Sequence, residues 1–108
     1  MKVSTAFQAF GLEAPGVERA WMDMVQKLDK ESALDKKTEE LAYLAVMAAV
    51  RLESGLPFHV QMAKLNGATR EEVISSILVG LPAVGNQVIQ ALPIALEAFD
   101  HDPAVYSK

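Results

Sequence analysis

Cysteine is missing from this chain altogether. That excludes disulfides, thiolate nucleophiles and thiolate metal ligands. Clustered positive charge is missing too. Ten Lys and Arg stand against 14 Asp and Glu for a net charge of −4, and the only adjacent basic pair is Lys36–Lys37. A nucleic-acid partner is therefore not expected, since binding phosphates takes grouped cations. The longest apolar run, residues 41–50, is about half of what a membrane-spanning helix needs, and the opening stretch VSTAFQAF is too interrupted by Ser, Thr and Gln to read as a signal peptide. No membrane association and a cytoplasmic location are expected. Histidine is scarce, with two in the chain and His59 the only one outside the C-terminal tail. One such histidine with scattered carboxylates falls short of a metal ligand set. No glycine-rich phosphate loop is present. No cofactor is expected.

What is present reads as a single 108-residue domain. Half of its residues are hydrophobic (51%) and 22% are charged, which fits a folded domain rather than disorder. Strand-like alternation is absent and helical spacing is strong. Val17, Ala20, Trp21, Met24, Val25 and Leu28 form the apolar stripe of a first helix, with Pro15 suited to its first turn. Asp35 is a good N-cap for a second helix, over KKTEELAYLAVMAAVRLE, in which residues 41–50 are apolar on nearly every side. A helix of that kind calls for surrounding partners, and so small a chain has few to offer. Ser54 is a candidate cap for a third helix, with Pro57 in its first turn, Phe58, Met62 and Leu65 on one face, and a stop at Asn66–Gly67. Thr69-Arg70-Glu71-Glu72 reads as a capping box opening a fourth helix that ends near Gly80. A fifth is expected over residues 86–99, kinked at Pro93, followed by a surface tail. The expected architecture is all-α, a compact bundle of about five helices assembled as a homo-oligomer.

Residues 20–99 resemble the carboxymuconolactone decarboxylase family, which includes the alkylhydroperoxidase D-like proteins. The resemblance is carried by Leu34-Asp35-Lys36-Lys37-Thr38-Glu39-Glu40-Leu41 with the Ala- and Val-rich helix behind it. It continues with His59, the Asn66-to-Glu72 turn, and the apolar helix ending at Ala83-Val84-Gly85. In the peroxidase members a Cys-x-x-Cys pair precedes the family histidine and a glutamate precedes the pair. The matching positions here are Leu52, seven residues before His59, Gly55, and Glu40, twelve residues before Leu52. The glutamate and histidine are thus kept and the redox pair is gone, so thiol peroxidase activity does not carry over. Decarboxylase members also lack the cysteines, and some carry a glutamate where Glu53 stands. The sequence mixes features of both branches.

The resemblance implies His59 as the acid or base and Glu40 as its partner. Histidine suits proton transfer near neutral pH. A carboxyl on an otherwise apolar helix side suits the same work. Arg51, Glu53 and Tyr43 are the candidate substrate-binding residues, Arg51 as a carboxylate anchor. The expected chemistry is cofactor-independent proton transfer or decarboxylation, of the lyase or isomerase type, on a small carboxylated or lactone substrate. The alternative is a non-enzymatic binding scaffold, or an accessory of a peroxide-defence system that has lost its thiols. The expected partner is the chain itself, as the trimer or hexamer that the resemblance implies. Glu40 and His59 are level within one chain only if the hairpin between them reverses near Val50; with a later reversal a neighbouring subunit completes the pair.

Overall fold

A single residue, Ala14, separates the first two helices, and that sharp corner shapes the N-terminal third. In a computed structural model that describes residues 3–101, α1 spans Thr5–Glu13 and α2 spans Pro15–Glu31. Ser4 caps α1, its Oγ accepting from the Phe7 N–H at 3.1 Å. Pro15 opens α2 where its missing N–H is harmless. The two helices meet through aromatic rings: Phe7 and Phe10 lie 5.3 and 6.3 Å from Trp21 between centroids. None of the residues in α2 is buried.

The rest of the chain is an antiparallel bundle. α3 spans Lys36–Val50 and is capped by Asp35, whose Oδ1 accepts from the Thr38 N–H at 2.8 Å. It stops three residues short of the end expected at Glu53. Arg51 adopts the left-handed conformation (φ 61°), and the Leu52 N–H returns to the Met47 carbonyl at 2.9 Å. That conformation is normally left to glycine, so the early stop has no residue-type signal. A 3-10 turn over Glu53–Gly55 leads into α4, Leu56–Leu65. Ser54 therefore lies within the turn, and no side chain caps α4. Gly67 closes α4 with φ 96°, its N–H and that of Ala68 returning to Lys64 and Ala63.

α5, Arg70–Leu78, opens with the expected capping box between Thr69 and Glu72. The single turn α6, Leu81–Val84, is followed by a 3-10 stretch over Gly85–Ala91, and α7 covers Leu92–Asp100. Pro93 starts α7 rather than kinking a longer helix, because the chain ahead of it is wound as 3-10 and leaves no α-helical ladder to break. Gln61, fully buried, and Lys64 serve the carbonyl end of α7, donating to the carbonyls of Ala98 and Phe99.

The all-α architecture expected from the sequence is what the chain adopts, with α1 and α6 added to the expected helices. Its core joins Leu44, Met47 and Ala48 of α3 to Leu56, Val60 and Ala63 of α4, with Val73, Ile77, Val88, Ala95 and Ala98 from the C-terminal half. The buried face of α4 is thus not the Phe58–Met62–Leu65 face; Leu65 is 62% exposed. α3 shows one buried face only, with Val46 and Val50 in the open at 55% and 65% exposure. Asp100 and His101 are exposed, and the remainder of the tail lies outside the described residues.

Candidate functional site

Glu40 lies in the second turn of α3 and His59 in the first turn of α4, two helices packed side by side. Glu40 is ~15 Å from the end of α3, and His59 about 10 Å beyond the start of the 3-10 turn. The reversal at Arg51 comes early enough for the two long side chains to span the difference. His59 Nδ1 and Glu40 Oε1 are 2.9 Å apart, within one chain. Glu40 is 6% exposed, and the His59 side chain is about a quarter exposed. The carboxylate therefore has little access to water, and the imidazole has some.

Both groups have further neighbours. The second carboxylate oxygen of Glu40 lies 3.5 Å from Lys36 Nζ, one turn earlier on α3. Lys36 also reaches Asp29 at 3.3 Å and Glu39 at 3.4 Å. Partial burial works to lower the Lys36 pKa, but its hydrogen bond to Asp29 and the charges of Glu40 and Asp29 outweigh that and leave it raised. The ring of His59 is held between two others, edge-on to Tyr43 at 4.6 Å and to Phe58 at 5.1 Å. Its Nε2 has no protein partner among the described residues.

His59 forms part of the wall of a cavity of about 520 Å³. The cavity is a seam between the N-terminal helix pair and the bundle. Phe7 and Phe10 come from α1, Trp21 and Val25 from α2, and Tyr43 and Met47 from α3. Leu52, Ser54, Gly55 and Phe58 complete it from the hairpin. A second depression, of 360 Å³, runs along α2 alone and encloses nothing.

Of the residues singled out from the sequence, Glu40, His59 and Tyr43 come together. Arg51 and Glu53 do not join them. The Arg51 guanidinium bonds Gln90 Oε1 at 2.6 Å and approaches Glu53 Oε2 at 3.5 Å, and neither residue lines the cavity. The left-handed turn at Arg51 aims its side chain at the 3-10 stretch instead. Leu52 and Gly55, at the two cysteine positions of the family's peroxidases, face the same cavity as His59. Sequence reasoning passed over Lys36 and the aromatic walls. The spacing of Lys36 and Glu40, four apart on one helix, was the available signal for the first. Nothing in the sequence marks α1 as a cavity wall.

The site is thus a carboxylate bonded to one nitrogen of an imidazole, beside a largely apolar cavity in an all-α domain. Comparison with known proteins identifies it further. The family model for the carboxymuconolactone decarboxylase family matches residues 15–97, and the chain belongs to that family. A search of curated proteins gives no match. Among solved structures, the chain is similar to the apo crystal structure of a carboxymuconolactone decarboxylase family protein from Legionella pneumophila. The TM-score is 0.75 at 31% identity, over 96% of this chain and 89% of that one.

Proposed function

We propose that this chain is a cofactor-independent proton-transfer catalyst, with His59 as the acid–base group and Glu40 as its positioning partner. The contact at 2.9 Å between Glu40 and His59 at the cavity wall carries this reading. An ionised Glu40 accepts the proton of Nδ1, which leaves the lone pair of a neutral ring on Nε2. That nitrogen can take a proton from a carbon next to a carbonyl and return it elsewhere on the same molecule. Lys36 pairs with the other carboxylate oxygen of Glu40 at 3.5 Å, which leaves Oε1 to the His59 ring. Substrates of this kind are small lactones or related carbonyl compounds. A carboxylate anchored by Arg51 is not part of the reading, since that guanidinium is engaged with Gln90.

The test uses α-angelica lactone, whose ring protons are acidic and whose double bond moves into conjugation by one proton removal and one return. Isomerisation followed by ultraviolet absorbance is expected to run above the buffer rate with the purified protein. His59→Gln is expected to lose about 100-fold of that acceleration, the lower end of what general acid–base catalysis contributes. Glu40→Gln is expected to fall in between. Equal rates for the wild type and His59→Gln would leave a binding scaffold as the better reading, which the apolar cavity on its own supports.

A further inference from the structure

We infer that the cavity beside His59 takes an uncharged, largely apolar ligand with one hydrogen-bonding group, and discriminates against carboxylates. This rests on the cavity being the ligand site, as proposed above, and not on any proton transfer there.

The lining carries the argument. Among the described residues, no Lys, Arg, Asp or Glu contributes to the wall. Its polar side chains are those of Ser4, Tyr43, Ser54 and His59, and all the rest is aromatic, aliphatic or thioether surface. A ligand entering this space gives up water. An apolar ligand gains by doing so, and an anion loses its hydration with nothing to replace it. The volume of about 520 Å³ is in the range of small-molecule sites. The Phe7, Phe10 and Trp21 rings, already packed at mixed angles on one another, offer ring edges and faces to an aromatic or alicyclic ligand.

Among the described residues, three cations of the bundle are engaged elsewhere. Arg51 is bonded to Gln90, and Lys64 to the Phe99 carbonyl at 2.6 Å. Lys36 lies among Asp29, Glu39 and Glu40. The amino end of α4, which borders the cavity, has its leading N–H groups occupied by the 3-10 turn. Gly55 donates to the Leu52 carbonyl and Leu56 to the Glu53 carbonyl. The Glu40 carboxylate stands 2.9 Å behind the His59 ring and disfavours an anion in front of it. One hydrogen-bonding group on the ligand suffices to meet Nε2.

Trp21 is the chain's only tryptophan and lies in the wall, so its fluorescence reports occupancy. The experiment titrates the full chain at pH 7.5 with methyl 4-phenylbutanoate and, separately, with 4-phenylbutanoate. These two probes share a skeleton and differ in charge. The ester is expected to bind at least tenfold more tightly. Leu52→Lys, at a half-exposed position that tolerates a long side chain, is expected to move the ratio at least tenfold toward the carboxylate. Ser54→Lys, also at an exposed position, serves as a second variant should the first fail to fold. Equal or tighter binding of the carboxylate to the wild type would overturn the inference. So would no saturable binding of the ester, or a ratio that neither lysine variant moves. If the protein fails to isomerise α-angelica lactone but prefers the ester, the catalytic reading falls and this one stands. If it isomerises the lactone but prefers the carboxylate, the reverse holds.

Discussion

Leu52 and Gly55 occupy the two places where the family's peroxidases carry thiols, and both line the cavity that His59 faces. The backbone at each is compatible with cysteine: φ is −87° at Leu52 and −88° at Gly55. A Cβ on Gly55 would approach Met47 Sδ at 3.2 Å, which the flexible Met47 side chain can relieve by moving a few tenths of an ångström. The wild type, which has no cysteine, is expected to reduce tert-butyl hydroperoxide no faster than buffer when supplied with dithiothreitol. The double variant Leu52→Cys with Gly55→Cys is expected to exceed that background at least tenfold, and each single variant to fall well below the double. Peroxide reduction by the wild type would contradict the reading of this site as thiol-free. No gain in the double variant would mean that the turn cannot serve a redox pair. The pairing of Glu40 with His59 was legible through the family resemblance, whereas helix geometry alone left their reach dependent on where the hairpin turned. The direction of the Arg51 side chain was not, because it follows from a left-handed residue that the sequence does not announce.

At the level of elements, the helix ends carry much of the pH sensitivity. The Thr38 backbone N–H holds the Asp35 carboxyl below its usual range, and the Thr69 backbone N–H together with Lys37 does so for Glu72. Arg70 grips Asp100 through two bonds of 2.9 and 3.1 Å, and lowers its pKa while tying the start of α5 to the end of α7. A lowered folded-state pKa means that the unfolded chain takes up protons first on acidification. The stabilisation is therefore complete above the ordinary carboxyl values of 3.8 and 4.5, and is lost as pH falls through the lower, folded ones. The urea midpoint is expected to hold steady between pH 7 and 6 and to decline steadily from about pH 5 to 3. Asp100→Asn should flatten part of that decline, and an unchanged slope would remove this pair from the account. These caps were legible in the sequence, since N-cap chemistry is local. α1 as a whole was not. Its segment has few charges to outline an apolar face, and it is positioned by aromatic contacts with Trp21 that are tertiary. The 3-10 winding before Pro93 escaped for a related reason, as its apolar spacing reads equally well as α-helix.

At the scale of the whole molecule, the N-terminal helix pair is the part that a single chain leaves unfinished. α2 has an apolar stripe at positions 17, 21, 24 and 28, with Val17 61%, Met24 45% and Leu28 62% exposed. α3 adds a second stripe at 43, 46 and 50, where Val50 reaches 65% exposure. Two such stripes are more apolar surface than scattered exposure explains, and helix faces of this kind are normally covered. Water is a poor cover, and the described residues of the chain offer no further element to supply one. A second copy presents the same stripes and can bury them against its own, which is how symmetric interfaces form. The protein is therefore expected to self-associate, and light scattering at micromolar concentration should give a mass at least twice that of one 11.7 kDa chain. Val17→Asp combined with Leu28→Asp, both at exposed positions where a charge costs the isolated chain little, should lower that mass while leaving the helical circular dichroism unchanged. A monomeric mass for the wild type would show that these stripes stay in water. Because α2 also walls the cavity through Trp21 and Val25, the two aspartate substitutions bear on the site as well. If assembly holds this helix against the bundle, the dissociated variant should bind methyl 4-phenylbutanoate more weakly than the wild type does.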